Sequence, residues 1–240
     1  MRCTIAIASL VVAIASNAVA GDGLTARERS WVAAGMPVVH AGRARGLPID
    51  IVVQPTEQPD ASPIALGIVD DRCKIVISMR GNAAADALFA SIPEERFAAV
   101  VEAVFAHEIA HCRRWTQGMW HALPAGFADA PDEGDDARGH EAQALAAMRR
   151  EMRETRREEA YADLVGLAWT RRAHPADYAA VRAWLARFRD DALPGDHHDT
   201  SPWLRLAEDP AAFGSEPDPF LAAQPLWLRG LSAGDPEGQP

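Results

Sequence analysis

His107, Glu108 and His111 stand in the stretch FAHEIAHCRRW, residues 105 to 115. Two histidines four apart on a helix are separated by slightly more than one turn, so both project from one face and can share a metal ion. Glu108 is turned by about 100° from His107 and can reach a water at an open coordination position. That is the mechanical content of H-E-x-x-H: two neutral imidazoles bind zinc and the carboxylate takes a proton from the water. Chance produces the pattern roughly once or twice per hundred chains of this composition. A catalytic zinc ordinarily has three protein ligands, so a third must come from elsewhere in the chain.

The stretch REEAYADLVGLAW, residues 157 to 169, offers Glu159 and Asp163 four apart. Glu159 is the candidate third ligand, with Asp163 accepting a hydrogen bond from a ligating imidazole. The plainer reading puts Glu158 and Glu159 on the solvated face of a charged helix. Against it, Ala160, Ala162, Leu164, Val165 and Leu167 make this part of the helix apolar. Asp163 is then in buried company, and buried carboxylates are usually paired.

His107-Glu108-x-x-His111 followed by Glu159-x-x-Ala162-Asp163-x-x-Gly166 resembles the gluzincin arrangement of the Ste24/HtpX-like metallopeptidases, a group with exported members. The resemblance implies a zincin-like fold and Zn²⁺ held by His107, His111 and Glu159. It also implies Glu108 as general base and Asp163 as the group that orients a ligand. The group often carries a later His-Pro followed by Arg near the cleft, and HHDTSPWLRL (197–206) would be its counterpart. His198 and Arg205 would then help stabilise the oxyanion, although Asp199 replaces the Pro; the other reading is an exposed polar loop. Ala110 stands where the group commonly has Gly, and the group's membrane helices are absent. In zincin folds a strand before the metal helix forms a sheet edge to which an extended peptide substrate adds. Cys73 to Met79 is the candidate for that β-augmentation, unless it is an internal strand.

These residues need elements to hold them. Thr25 with Glu28 forms a capping-box pattern that starts a helix reaching about Arg45, with Pro37 a place for a kink. Ile49 to Val53, Ile64 to Val69 and Cys73 to Ser78 are β-branched runs, the last two joined by Asp70-Asp71-Arg72, which suits a hairpin turn. Ser91, Pro93 and Glu94 read as the start of a helix whose face of Phe97, Val100, Val101, Val104 and Phe105 runs into His107. Residues 116–135 are loop-like. From about Asp136 to Arg172 the composition predicts two helices or one long bent one, and Pro175 starts another that ends near Arg189. A short helix is expected at Trp203 to Ala207, with a frayed tail after Gly230. The expected fold is α+β, mostly helical with a small sheet packed on the H-E-x-x-H helix.

Residues 1–20 read as a signal peptide: Arg2, an apolar run from Thr4 to Ser16, and Ala18-Val19-Ala20 as the small-x-small cleavage pattern near Ala20. The expected organisation is that signal, one zincin-like domain over 21–230 and a flexible tail over 231–240. The expected product is exported, periplasmic or secreted, without an integral membrane segment, since no later stretch reaches the roughly 18 apolar residues of a spanning helix. A net charge of −10 without a dense basic block argues against nucleic acid or anionic membrane as partner. Peptide or protein substrate is the expected partner. In an oxidising compartment Cys73 and Cys112 could form a bridge constraining the unfolded chain by about 4 kcal/mol, or stay separate buried thiols.

Other residues carry weaker signals. Trp115, Trp120 and Phe127 flank the loop after the metal helix and could line a specificity pocket, or belong to the core. His40, His121, His140 and His174 lack a partner at metal spacing. Tyr161 is turned by about 200° from Glu159, which points it away from the ligands. Three alternatives to a peptidase stand: a binding or chaperone-like protein on a zincin scaffold with structural or regulatory zinc, a metal-free helical protein with a coincidental motif, and a hydrolase that uses zinc on non-peptide substrates. An intact Glu108 argues against the first, because a structural site needs no base.

Overall fold

The structure is a computed structural model that describes residues 23–127, 140–190 and 196–232. The signal segment and most of the C-terminal tail lie outside the described residues. The fold is α+β and mostly helical, with one three-stranded sheet. The chain divides between Phe97 and Ala98 into two compact units.

The first unit holds α1 (Ala26–Ala44), β1 (Ile49–Val53), β2 (Ile64–Val69), β3 (Arg72–Ile77) and α2 (Ala83–Ser91). The capping box forms as the sequence predicts: the Thr25 hydroxyl accepts from Glu28 N and Glu28 accepts from Thr25 N. Helix α1 runs on through Pro37 to Ala44. Val69 pairs with Arg72 across a two-residue loop in which Asp70 and Asp71 take φ of 51° and 56°. Both signs match the turn that suits right-twisted strands, and Asp tolerates that conformation better than most residues. Cys73, Ile75 and Ile77 alternate into the core, as the period of two requires.

The strand order is β1-β3-β2, with β1 parallel and β2 antiparallel to β3. This corrects the expectation for Cys73 to Met79: β3 is the inner strand, its backbone hydrogen-bonded on both sides. It has no free edge to which a peptide could add. The hairpin placed β2 beside it, and β1 took the other flank.

The helix predicted to start at Ser91 also needs correction. Ser91 ends α2, and its hydroxyl donates back to Leu88 O at 2.7 Å. Helix α2 has its own cap in Asn82, whose Oδ1 accepts from Ala84 N and Ala85 N. A short 3-10 turn at Glu94–Arg96 follows, and α3 (Phe97–Thr116) begins at Phe97.

The second unit contains the rest of α3, α4 (His140–Ala173), α5 (Tyr178–Arg189), α6 (Ser201–Leu206) and α7 (Pro219–Ser232). The stretch expected as one or two helices is a single helix of 34 residues within the described part. From Glu158 to Ala168 every residue of α4 is buried, so the helix passes through the middle of the unit there. It packs against α5, α6 and α7. It also lies against α3, antiparallel, since Glu102 meets Trp169, His107 meets Asp163 and Arg114 meets Glu158. Gly166 allows this closeness: a Cβ there would stand 2.8 Å from Ala103 O. Helix α7, which runs beyond Gly230 to Ser232, was not legible as a helix. No helix among the described residues is long and apolar enough to cross a membrane.

Cys73 and Cys112 are disulfide-bonded, which resolves the choice between bridge and free thiols.

Candidate metal centre

Helix α3 carries Phe105, Ala106, Ile109 and Ala110 into the core, and this fixes the rotation that aims His107 and His111 at α4. The nearly all-buried part of α4 presents Glu159 and Asp163 to them. The nitrogen atoms His107 Nε2 and His111 Nε2 are 3.0 Å apart. Glu159 Oε1 stands 3.2 Å from His111 Nε2, and Glu159 Oε2 stands 3.5 Å from His107 Nε2. For a tetrahedral ion with ligand bonds near 2.0–2.1 Å, the ligand atoms would be about 3.3 Å from one another. The three side chains therefore fit a metal ion as they stand, and they form a candidate metal-holding group among the described residues. Two imidazoles and a carboxylate suit a borderline divalent transition metal better than calcium or magnesium.

The ring of His107 is fixed from behind. Its Nδ1 lies 2.9 Å from Asp163 Oδ1, so with Nδ1 protonated and donating, Nε2 keeps its lone pair for an ion. Asp163 is itself held by three other bonds. Arg189 donates from Nη2 to Oδ1 at 2.7 Å and from Nε to Oδ2 at 3.0 Å, and the Thr200 hydroxyl donates to Oδ2 at 2.7 Å. Arg189 Nη2 also donates to Glu159 Oε2 at 3.0 Å. On the far ligand, the His111 ring meets the Trp120 ring edge-on with centroids 5.4 Å apart, while His111 Nδ1 is buried without a hydrogen-bond partner among the described residues.

Burial and charge pull against each other across this cluster. Burial disfavours the charged form of Glu159, yet His107, His111 and Arg189 outweigh it and hold the carboxyl well below its ordinary range. Asp163 behaves likewise, with Arg189 and His107 overcoming desolvation. Glu108 goes the other way: burial raises it, and the histidines only partly compensate. Its carboxylate has no hydrogen-bond or ion-pair partner among the described residues, so it is the one acid here left available for proton transfer. His107 is raised, because Glu159 and Asp163 exceed the opposing effect of burial.

Every residue expected at the centre of the site is brought together: His107, Glu108, His111, Glu159 and Asp163. The reading of Glu158 and Glu159 as a solvated face is overturned, since both are buried. Glu158 instead takes a double hydrogen bond from Arg114, at 2.5 and 2.8 Å. His198 is close, with Nε2 3.9 Å from Glu159 Oε2, and burial lowers its pKa to about 4 against the pull of Glu159. Arg205 is exposed on α6, and the arginine in the cluster is Arg189. Tyr161 points away as expected, its hydroxyl donating to Phe220 O at 3.0 Å. Trp115 is exposed, whereas Trp120 lies on His111. Of the other histidines, His121 pairs with Glu154 and His174 with Glu102.

Sequence reasoning missed Arg189 and Thr200. The one available signal was that a buried Asp163 requires a cation, but nothing local says which of the arginines supplies it. When the chain is compared with known protein families, with curated proteins and with solved structures, none matches.

Proposed function

We propose that the protein is an exported zinc metallopeptidase of gluzincin type, similar to the Ste24/HtpX-like group, that hydrolyses peptide bonds with Glu108 as general base. The observation that carries this reading is the convergence of two imidazole nitrogens and one carboxylate at 3.0 to 3.5 Å, with a buried, unpaired Glu108 beside them. Zinc bound there would act as a Lewis acid toward the scissile carbonyl and lower the pKa of the attacking water.

The chain's own residues supply the rest. Asp163 sets the tautomer and ring angle of His107. Arg189 holds Glu159 and Asp163 in register while balancing their charge. Glu108, raised by burial, is suited to take the water's proton and pass it to the leaving amine. His198 stays neutral at neutral pH and can donate a hydrogen bond to the developing oxyanion. The disulfide suits an oxidising compartment, in keeping with export.

The direct test is Glu108→Gln in the protein without its signal segment, assayed on a peptide library with zinc content measured in parallel. Loss of general-base catalysis should lower turnover by about 10² to 10⁴-fold while zinc is retained. Equal turnover in variant and wild type would contradict the assignment. A zinc-loaded wild type that cleaves no peptide would favour a binding role.

A further inference from the structure

Trp115 follows His111 by four residues, so it stands one turn further along the face of α3 that carries His107 and His111. Its side chain is 46 % exposed. Trp120 returns to meet it: the two indole rings are 6.1 Å apart, centroid to centroid, and the Trp120 ring meets His111 edge-on at 5.4 Å. An aromatic shelf therefore starts on a metal-ligating candidate and leads along α3 to an exposed indole.

The loop that carries Trp120 is held in place from several sides. Arg114 Nη2 donates to Met119 O at 2.7 Å and to Ala122 O at 2.9 Å, carbonyls that flank Trp120. His121 N donates to Glu158 Oε1 at 2.9 Å. The His121 ring stacks on Trp120 with centroids 5.1 Å apart, and its Nδ1 lies 3.2 Å from Glu154 Oε2. His121 also takes a φ of 60°, a left-handed conformation uncommon outside glycine, which these contacts maintain.

A single exposed tryptophan carries no meaning, but adjoining indoles left partly open mark a surface where another apolar group binds. Position decides what that group is. An extended peptide advances about 3.3–3.6 Å per residue. One whose carbonyl reaches the His107, His111 and Glu159 cluster therefore brings a side chain one or two residues away to the shelf. Indole rings accept apolar side chains, and aromatic ones best, through stacked or edge contacts.

We propose that Trp115 and Trp120 form a specificity subsite that takes a large apolar side chain, aromatic above all, of the peptide substrate. The occupant is identified by the peptidase reading, on which this inference rests.

The experiment measures, by calorimetry, the binding of three metal-directed probes to zinc-loaded protein lacking only the signal segment. The probes are acetyl-Gly-Gly-hydroxamate, acetyl-Gly-Phe-hydroxamate and acetyl-Phe-Gly-hydroxamate. The wild type should bind at least one phenylalanine probe about tenfold or more tighter than the glycine probe. Trp120→Ala and the more exposed Trp115→Ala should each cut that preference by about threefold or more, with zinc content and glycine-probe affinity kept within about twofold. A Trp120 that only supports His111 would instead weaken all three probes alike, and that result would overturn the subsite. So would a wild type with no preference, or a preference unchanged in both variants. Peptide cleavage that needs Glu108 but shows none of this preference would overturn the subsite and leave the peptidase reading. A tryptophan-dependent preference in a zinc-loaded protein that cleaves no peptide would support the subsite and remove that reading. A wild type that holds no zinc would remove both.

Discussion

Arg189 Nη2 donates to Glu159 Oε2 across 3.0 Å, and through the same nitrogen to Asp163 Oδ1 at 2.7 Å. One guanidinium thus ties together the third metal-ligating candidate and the residue that orients His107. It also supplies a full positive charge where two buried carboxylates would otherwise face each other.

Arg189→Met follows directly from this arrangement. Removing one partner of a buried ionic group costs about 3–5 kcal/mol, because the remaining charges are left uncompensated. A bound divalent cation offsets part of that charge. Urea unfolding should therefore show a large loss of stability in the metal-free variant and a smaller loss in the zinc-loaded one. An equal loss with and without zinc would contradict the role given to Arg189.

Gly166→Ala tests the approach of α3 to α4. The added Cβ would stand 2.8 Å from Ala103 O, a backbone atom that can move only with its helix. Alanine is the better helix former by about 1 kcal/mol, but overpacking of this kind costs about 1–3 kcal/mol. The expected outcome is a lower melting temperature together with weaker zinc binding, because spreading the helices separates Glu159 from His107 and His111. A stabilised variant with unchanged zinc affinity would show that the contact is not limiting.

The candidate metal-holding trio was readable from the sequence because each helix carries its part locally. His107 and His111 are related by one turn, as are Glu159 and Asp163, and the apolar residues around Asp163 announced its burial. Arg189 was not readable, because it arrives from the end of α5 and its meeting with Asp163 depends on how α5 packs on α4. The position of β3 was hidden for a similar reason. A hairpin identifies one neighbour of a strand and says nothing about the other, and β1 took that place. Ser91 misled because its side chain could cap forward or bond backward, and the completed α2 decided the matter. In α7, Pro219 and Pro225 weaken the helix signal, although Phe220, Ala223, Leu226 and Trp227 keep helical spacing.

A pH effect is expected in the first unit. Burial works against the charge on Glu28, but Arg80, with two bonds of 2.8 Å, and Thr25 outweigh it and lower its pKa. A carboxyl whose folded pKa is depressed contributes stability above its unfolded value, and that contribution is lost as pH falls through the folded value. Glu28→Gln should therefore melt well below the wild type at pH 7, and the gap should start to close below about pH 4.5. A gap that is the same at pH 7 and pH 3 would show that Glu28 acts through shape and not through charge.

The most direct measurement for the whole account is the zinc content of the purified protein after exhaustive dialysis, compared with Glu159→Ala. The prediction is one tightly held zinc per chain in the wild type and clear loss in the variant. No zinc in the wild type, even after refolding with metal present, would contradict a zinc enzyme. Full retention in Glu159→Ala would contradict the three-ligand centre.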